Sequence, residues 1–345
     1  MSISEQRNPG IEGLLDLDTP ETVRLSVAEA TAIGARALRS LKYTDEEVGI
    51  IMDHLIDNAL CGYRFAGLPR IIAIAESPKT HGPRDPFRTV NETPASALID
   101  GGNQVGYLAA YHGTRVAIEK SKFCGLAAVG VYNSYYSGRN AYYVEMIARA
   151  GLVGIHVASA NPHVFPPGGA RGMLGTNPLA IGFPSSNGPV VFDMGTASLM
   201  GGELLLYALQ GRELPEGIAF DAAGKPTRNA EAALVGGILP FGGHKGYGLS
   251  FCIQALGILA GAAKARGNVR DYGFLFLVVR PDILMPAGEF EQQMTEYVRQ
   301  IKDTPRQPGV DEIRVPSERS TRERERRRIE GIVIDRTVVE KLNQV

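Results

Sequence analysis

The sequence carries almost no net charge: 36 Lys and Arg stand against 37 Asp and Glu, a formal −1. That balance offers no field to a polyanion or an anionic bilayer, so neither nucleic acid nor membrane is expected as a partner. Cysteine is scarce too. Cys61, Cys124 and Cys252 are odd in number, far apart and without C-x-x-C spacing, which argues against a disulfide framework or a zinc site and suits a reducing, cytoplasmic setting. No stretch reaches the roughly 18 uninterrupted apolar residues of a membrane span, and Met1 to Gly10 lack a basic-then-apolar secretory pattern. His54, His81, His112 and His156 have no metal-ligand spacing, so no metal is expected. Also missing are G-x-G-x-x-G and G-x-x-x-x-G-K-[ST], which removes the Rossmann fingerprint and the P-loop as routes to nucleotide binding.

What is present is 345 residues with 44% apolar content, enough for a sizeable core and two packed domains. LSVAEATAIGARALRSL and TDEEVGIIMDHLIDNAL space their apolar residues as helices. Ser26 with Glu29 and Thr44 with Glu47 stand in capping-box register ahead of them. Gly62 to Pro86 reads as irregular, ending in a linker. Two helices flank a buried strand, GLAAVGVYNS, between Tyr107 and Ile147, and GLVGIHVAS, NPLAIGFP, PVVFDMG and GFLFLVVRP read as further strands. Helices interleaved irregularly with strands predict an α/β fold with a covered sheet, not a simple doubly wound parallel one. EFEQQMTEYVRQIK reads as a helix, and so does STRERERRRIEGI. The six arginines between Arg319 and Arg328 alternate with Glu, with Glu318/Arg322 and Glu323/Arg327 at i, i+4, which predicts a solvated, self-paired face.

Two glycine-rich stretches, Pro166 to Pro178 (PPGGARGMLGTNP) and Leu239 to Ser250 (LPFGGHKGYGLS), could let a backbone approach a ligand closely, with Lys245 supplying positive charge. By composition alone that signal is weak, because glycine clusters more often mark plain turns. Their order with NSYYSGRNAYY, FDMGTAS, RELPEGIAFDAAGKPT and RVPSER is more specific: from about Leu25 to Leu342 the chain resembles the malate/L-lactate dehydrogenase family of oxidoreductases.

The resemblance implies an NAD or NADP cofactor held by a non-Rossmann fold with a mixed sheet plus a helical domain, and a homodimer acting on a small-molecule substrate. The helical domain is expected over residues 1–85, completed by 285–345, with the mixed α/β cofactor-binding domain over 86–284. Carried over motif by motif, the cofactor is expected along Val191, Phe192, Asp193, Met194 and Gly195, with His244, Lys245, Ser317, Glu318 and Arg319 closing round it and Thr176 and Asn177 flanking. Arg70 is expected to pair bidentately with a substrate carboxylate. Asp193 is expected either to orient a proton donor or accept from the cofactor, or to cap a helix.

The sequence departs from the family where the chemistry matters. The motif S-H-G-x-x-R is GYRFAGLPR here, so Phe65 and Ala66 stand for the serine and the acid/base histidine, while Gly67 and Arg70 match. Tyr136 of NSYYSG stands at a second family histidine, preceded by Tyr135. Reducing a ketone makes an alkoxide unless an acid delivers a proton, and alanine cannot do so. Three routes are open: Tyr136 donates; the substrate is an iminium that needs no protein acid; or redox chemistry has given way to a binding role or a non-redox step such as cyclisation or isomerisation. With Tyr63 and Phe65, Tyr135 predicts a bulkier, more apolar site than one built on Ser and His. His163 is a further candidate acid/base, with a structural role the more ordinary reading for a lone histidine. Glu203 and Gln254 stand where relatives carry Lys and Glu.

Overall fold

The computed structural model describes residues 21–345; the segment Met1 to Gly10 considered above lies outside them. The chain divides into two compact units, one holding the residues up to Thr80 with Arg319–Val345, the other His81–Glu318.

In the first unit, strand β1 (Thr22–Leu25) leads into helices α1 (Val27–Ser40) and α2 (Asp45–Leu60). Both helices begin as their sequences predict. Ser26 and Thr44 accept from the N3 amides of Glu29 and Glu47, whose carboxylates return bonds of 2.8 Å to the cap N–H groups. Ala30 and Leu38 of α1 and Ile51 and Leu55 of α2 are fully buried, and each buried leucine or isoleucine contributes roughly 2 kcal/mol. The helices meet where a Cβ on Gly34 would stand 2.7 Å from the end of the Met52 side chain, so a larger residue there would require Met52 to shift.

Gly62 to Pro86 is more ordered than its composition suggests. A 3₁₀ turn (Arg64–Ala66) precedes a two-turn helix, α3 (Pro69–Ala75), whose first position tolerates Pro69 and whose Ile71 and Ile74 are fully buried. The chain's end closes this unit: β11 (Ile332–Asp335) pairs antiparallel with β1, between α10 (Glu318–Glu330) and α11 (Arg336–Leu342).

The arginine-rich helix α10 is only partly the solvated face its charge pattern predicts. Arg326 pairs with Glu323 and Glu330 on the outside. Arg327 is 1% exposed, bonded to Glu323 at 3.0 Å and to the Ala59 carbonyl, and Arg324 reaches Asp57 at 2.8 Å. Glu318 takes Lys302 as its ion-pair partner. The alternation hides this because an i, i+4 pair looks the same whether it faces water or a neighbouring helix.

The second unit is built on a seven-stranded sheet of β2 (Arg88–Thr93), β3 (Ser96–Val105), β4 (Leu126–Tyr135), β10 (Gly273–Val279), β5 (Val153–Ala158), β6 (Leu179–Phe183) and β7 (Val190–Met194), in that order across the sheet. Only β3 and β4 run parallel, joined by the crossover helix α4 (Gly106–Cys124); the other neighbours are antiparallel. The sheet is therefore mixed, as the sequence predicts. α5 (Asn140–Arg149) packs on β5, β6 and β7, and α8 (His244–Leu259) packs on β5 and β10 through Val157, Ile253, Ala260 and Leu275.

A smaller lobe holds α6 (Gly201–Leu209), β8 (Ala219–Phe220), α7 (Ala230–Val235) and β9 (Gly237–Ile238) around Val164, Leu204, Leu214 and Ile238. The unit continues through α9 (Glu289–Lys302), whose Thr295 hydroxyl accepts from Ser186 N–H and whose Phe290 ring lies 6.5 Å from Phe183. Those contacts group 285–318 with the sheet, whereas the sequence reading joined them to the helical segment. Among the described residues no helix is long and apolar enough to cross a membrane.

Candidate active site

The residues expected to carry chemistry fall in both units. In the first, Ala66 ends the 3₁₀ turn, its N–H on the Tyr63 carbonyl and its carbonyl accepting from Asn58 Nδ2 at 3.0 Å. Phe65 beside it is half-buried. Arg70 lies in the first turn of α3, also half-buried, its N–H bonded to the Gly67 carbonyl. Tyr63 meets Arg319, whose guanidinium sits 5.4 Å from the ring centroid and donates Nη2 to the phenol oxygen at 3.3 Å. Arg319 Nη1 is buried and has no hydrogen-bond partner among the described residues. A guanidinium fork with one prong used and one buried unpaired has donor capacity left for an anion.

In the second unit the FDMG strand is the edge strand β7. Val191 is buried and donates its N–H to Ser317 Oγ at 3.2 Å, while Phe192 is 38% exposed and Asp193 and Met194 are half-buried. Gly195 leaves room for Met200, whose sulfur would stand 2.4 Å from a Cβ there. Asp193 Oδ2 accepts the Ala141 N–H at 2.8 Å, at the start of α5. Burial raises its pKa above the usual carboxylate range, opposed by that amide and by the Arg139 charge. Asp193 lies within β7 and is not itself an N-cap residue; its oxygen satisfies a first-turn amide of α5 from outside the helix.

The NSYYSG loop ends against the same helix. Tyr136 sits at φ 56°, a left-handed conformation that costs a tyrosine about 1 kcal/mol, and its carbonyl lies where a Cβ on Gly106 would stand 2.7 Å away. The loop is fixed by the buried Tyr143, whose hydroxyl donates to the Ser137 carbonyl at 2.6 Å. Tyr135 is 1% exposed and its ring contacts that of Tyr136 edge-on, so it belongs to the core more than to a pocket wall. Asp193 and Tyr136 are thus linked through the first turn of α5.

Thr176 and Asn177 hold the third segment. The Thr176 carbonyl accepts both the N–H and the hydroxyl of Thr196, just beyond FDMG. Asn177, fully buried at φ 33°, donates to Ser250 and Gln254 of α8. α8 itself starts at His244 with no side-chain cap, after Gly242 and Gly243 at φ 56° and 62°. His244 and Lys245 are exposed, and a Cβ on either of those two glycines would meet nothing within 4 Å. Uncapped amides opening a 16-residue helix, with two basic side chains beside them, form a donor set that fits a phosphate-bearing cofactor. Gly246 is obligatory, since its Cβ would lie 1.9 Å from the Phe241 carbonyl oxygen.

Other expected residues have local duties. Glu318 accepts from Val315 N–H and pairs with Lys302, and Ser317, at φ 68°, donates to the Pro316 carbonyl. Glu203 accepts the Met200 N–H at 2.9 Å and so caps α6. His163 is half-buried, which lowers its pKa, and its backbone is stitched to Leu174 and Ile238 in the lobe core. Sequence reasoning did not foresee the connecting roles of Tyr143, Ser317 and Gln254; the positive φ of four non-glycine residues in the motif segments, Asn133, Tyr136, Asn177 and Ser317, exists only in three dimensions.

The chain is similar over nearly its whole length to known dehydrogenases. The L-sulfolactate dehydrogenase of Methanothermobacter thermautotrophicus is 35% identical over 332 residues, covering 93% of this chain and 95% of its own. The crystal structure of malate dehydrogenase from Entamoeba histolytica superposes with a TM-score of 0.85 at 25% identity, over 94% of this chain and 97% of that one. That of delta1-piperideine-2-carboxylate reductase from Pseudomonas syringae pvar. tomato gives 0.79 at 27%, over 93% and 99%. Residues 25–343 match the family described as malate/L-lactate dehydrogenase, and the chain, an oxidoreductase of the dehydrogenase type, belongs to that family.

Proposed function

We propose that the protein transfers hydride between NAD(P)H and C2 of a 2-oxo or cyclic 2-imino acid, or in reverse from the 2-hydroxy or 2-amino acid, in a site without the family's imidazole. The observation that carries this is the pairing of Asp193 with Ala141, which joins the FDMG strand to the loop bearing Tyr136. The mixed sheet, with one parallel pair and no glycine fingerprint, supports a non-Rossmann mode of holding the cofactor.

A bound nicotinamide supplies the hydride. Val191 to Gly195, with Thr176, would hold the cofactor, and His244, Lys245 and the amides of the Gly243 turn would hold its phosphates. Ser317 holds the edge of β7 in place, and Arg319 offers its unused guanidinium prong to an anionic group. Glu318 supports the turn that carries both. Arg70 anchors the substrate carboxylate, and Tyr136 delivers or receives the proton at the substrate oxygen. Asp193 positions the start of α5. The assembly is a cytoplasmic homodimer.

Ala66 favours an iminium substrate, because an imine that arrives protonated becomes a neutral amine on hydride addition and asks nothing of residue 66. The reductase from Pseudomonas syringae, named for a piperideine carboxylate, supports that choice. The same alanine favours, as second reading, a protein that binds the nucleotide and catalyses a non-redox step or none. Following NADH and NADPH absorbance against panels of 2-oxo acids and cyclic imino acids tests the proposal. Turnover of imines above that of ketones supports the iminium reading, and silence across both panels overturns hydride transfer.

A further inference from the structure

Gln254 is buried on α8 and links two loops through one directed chain of hydrogen bonds. Ala160 N–H donates to Asn177 Oδ1 at 3.2 Å, Asn177 Nδ2 donates to Gln254 Oε1 at 3.2 Å, and Gln254 Nε2 donates to the Val269 carbonyl at 2.8 Å. Asn177 Nδ2 also reaches the Ser250 carbonyl and hydroxyl at 3.0 and 3.3 Å. Its neighbour Thr176 holds Thr196, the residue after FDMG. One turn therefore ties together the GTNP loop, the strand end and the helix that opens with GGHKG.

We propose that Gln254 is a positioning residue, a neutral latch that sets the spacing of these three segments and keeps it independent of pH. The inference rests on the reading of those segments as the cofactor cleft. Its chemistry turns on the amide having one acceptor and one donor end. Gln254 offers an acceptor to Asn177 and a donor to Val269, which an amide supplies at once. A carboxylate at 254 has no proton for Val269 and would face its carbonyl oxygen lone pair to lone pair, whereas a protonated carboxyl copies the amide. Among the described residues the groups hydrogen-bonded to Gln254 are neutral, and the charges nearby are engaged elsewhere. α8 meets β5 and β10 through apolar side chains, Asn177 and Ser250 are neutral, and in the adjoining loop Arg266 is paired with Asp271 at 3.6 Å while Arg270 lies against the Met173 sulfur.

Hydrogen exchange at the Ala160 and Thr196 amides reads the latch with no cofactor present. Gln254→Leu should speed exchange there about 10-fold or more relative to wild type, the loss expected for a buried hydrogen bond, while leaving the β3 and β4 amides unchanged. Gln254→Glu should match wild type near pH 5, where burial keeps the carboxyl protonated, and loosen toward the leucine variant near pH 8. NADH affinity measured on the same proteins should follow the same pattern, flat with pH in wild type and falling with rising pH in Gln254→Glu. Exchange in Gln254→Leu equal to wild type, or a Gln254→Glu variant whose difference from wild type does not change with pH, overturns the latch. Wild type that binds neither NADH nor NADPH overturns the cofactor reading, and the exchange data still decide the latch.

Discussion

The carboxylate of Asp193 on the edge strand β7 accepts a 2.8 Å hydrogen bond from the backbone N–H of Ala141 in the first turn of α5. An acceptor from outside the helix satisfies one of the four amides that a helix start leaves free, and negative charge there suits the helix dipole. Asp193→Ala should therefore lower stability by about 1 kcal/mol, as loss of a capping residue does, with Asp193→Asn retaining most of it. Denaturant melts of the two variants check the ranking, and equal loss in both would show that packing and not the acceptor oxygen matters.

Tyr136 is the phenol proposed to move the proton. Tyr136→Phe keeps the ring and the left-handed backbone position while removing the hydroxyl, so ketone reduction should fall about 100-fold and imine reduction should change little. Steady-state rates on one substrate of each kind separate the two. Unchanged ketone reduction removes the tyrosine from the mechanism.

Arg70→Lys keeps the charge and loses the planar fork. For a carboxylate substrate KM should rise roughly 10-fold, while a ketone without a carboxylate should show no change. An equal effect on both substrates would place Arg70 in the scaffold instead.

His156 is wholly buried between strands. Its Nδ1 lies 3.1 Å from the Leu275 carbonyl and its ring is stacked at 4.0 Å on Phe276. Burial pushes its pKa down from 6.5 to about 3, against the weaker upward pull of the Leu275 carbonyl. Between those values the unfolded chain binds a proton that the folded chain refuses, so stability is whole above pH 6.5 and falls as pH drops toward 3. The slope should be about 1.4 kcal/mol per pH unit at most, and His156→Phe should flatten that part of the curve. Urea melts at several pH values measure it, and an identical acid limb in the variant contradicts the assignment.

Much of the fold was legible because it obeys local rules. The capping boxes at Ser26 and Thr44 announce α1 and α2, and the apolar runs ending in FDMG and beginning GFLFLVV become β7 and β10. α3 escaped notice because Pro69 and a short apolar run resemble a linker, and β2 because every residue of this edge strand is exposed and polar alternation is lost. The burial of Arg324 and Arg327 depends on Asp57 and Ala59, some 270 positions earlier in sequence, which no local pattern encodes. For the site, motif order located the segments, but the bonds that join them, Asp193 to Ala141 and Asn177 to Gln254, run between residues 52 and 77 positions apart.

A nicotinamide dinucleotide is proposed to bind against the FDMG and GGHKG segments. Equilibrium titration with NADH and with NADPH tests it most directly, and since the chain has no tryptophan, the cofactor's own emission can be read free of indole fluorescence. Saturable binding of at least one of the two is expected at one cofactor per chain, weakened by Lys245→Ala. Absence of binding by both, at concentrations up to about 1 mM, the upper end of ordinary enzyme affinities, would contradict it.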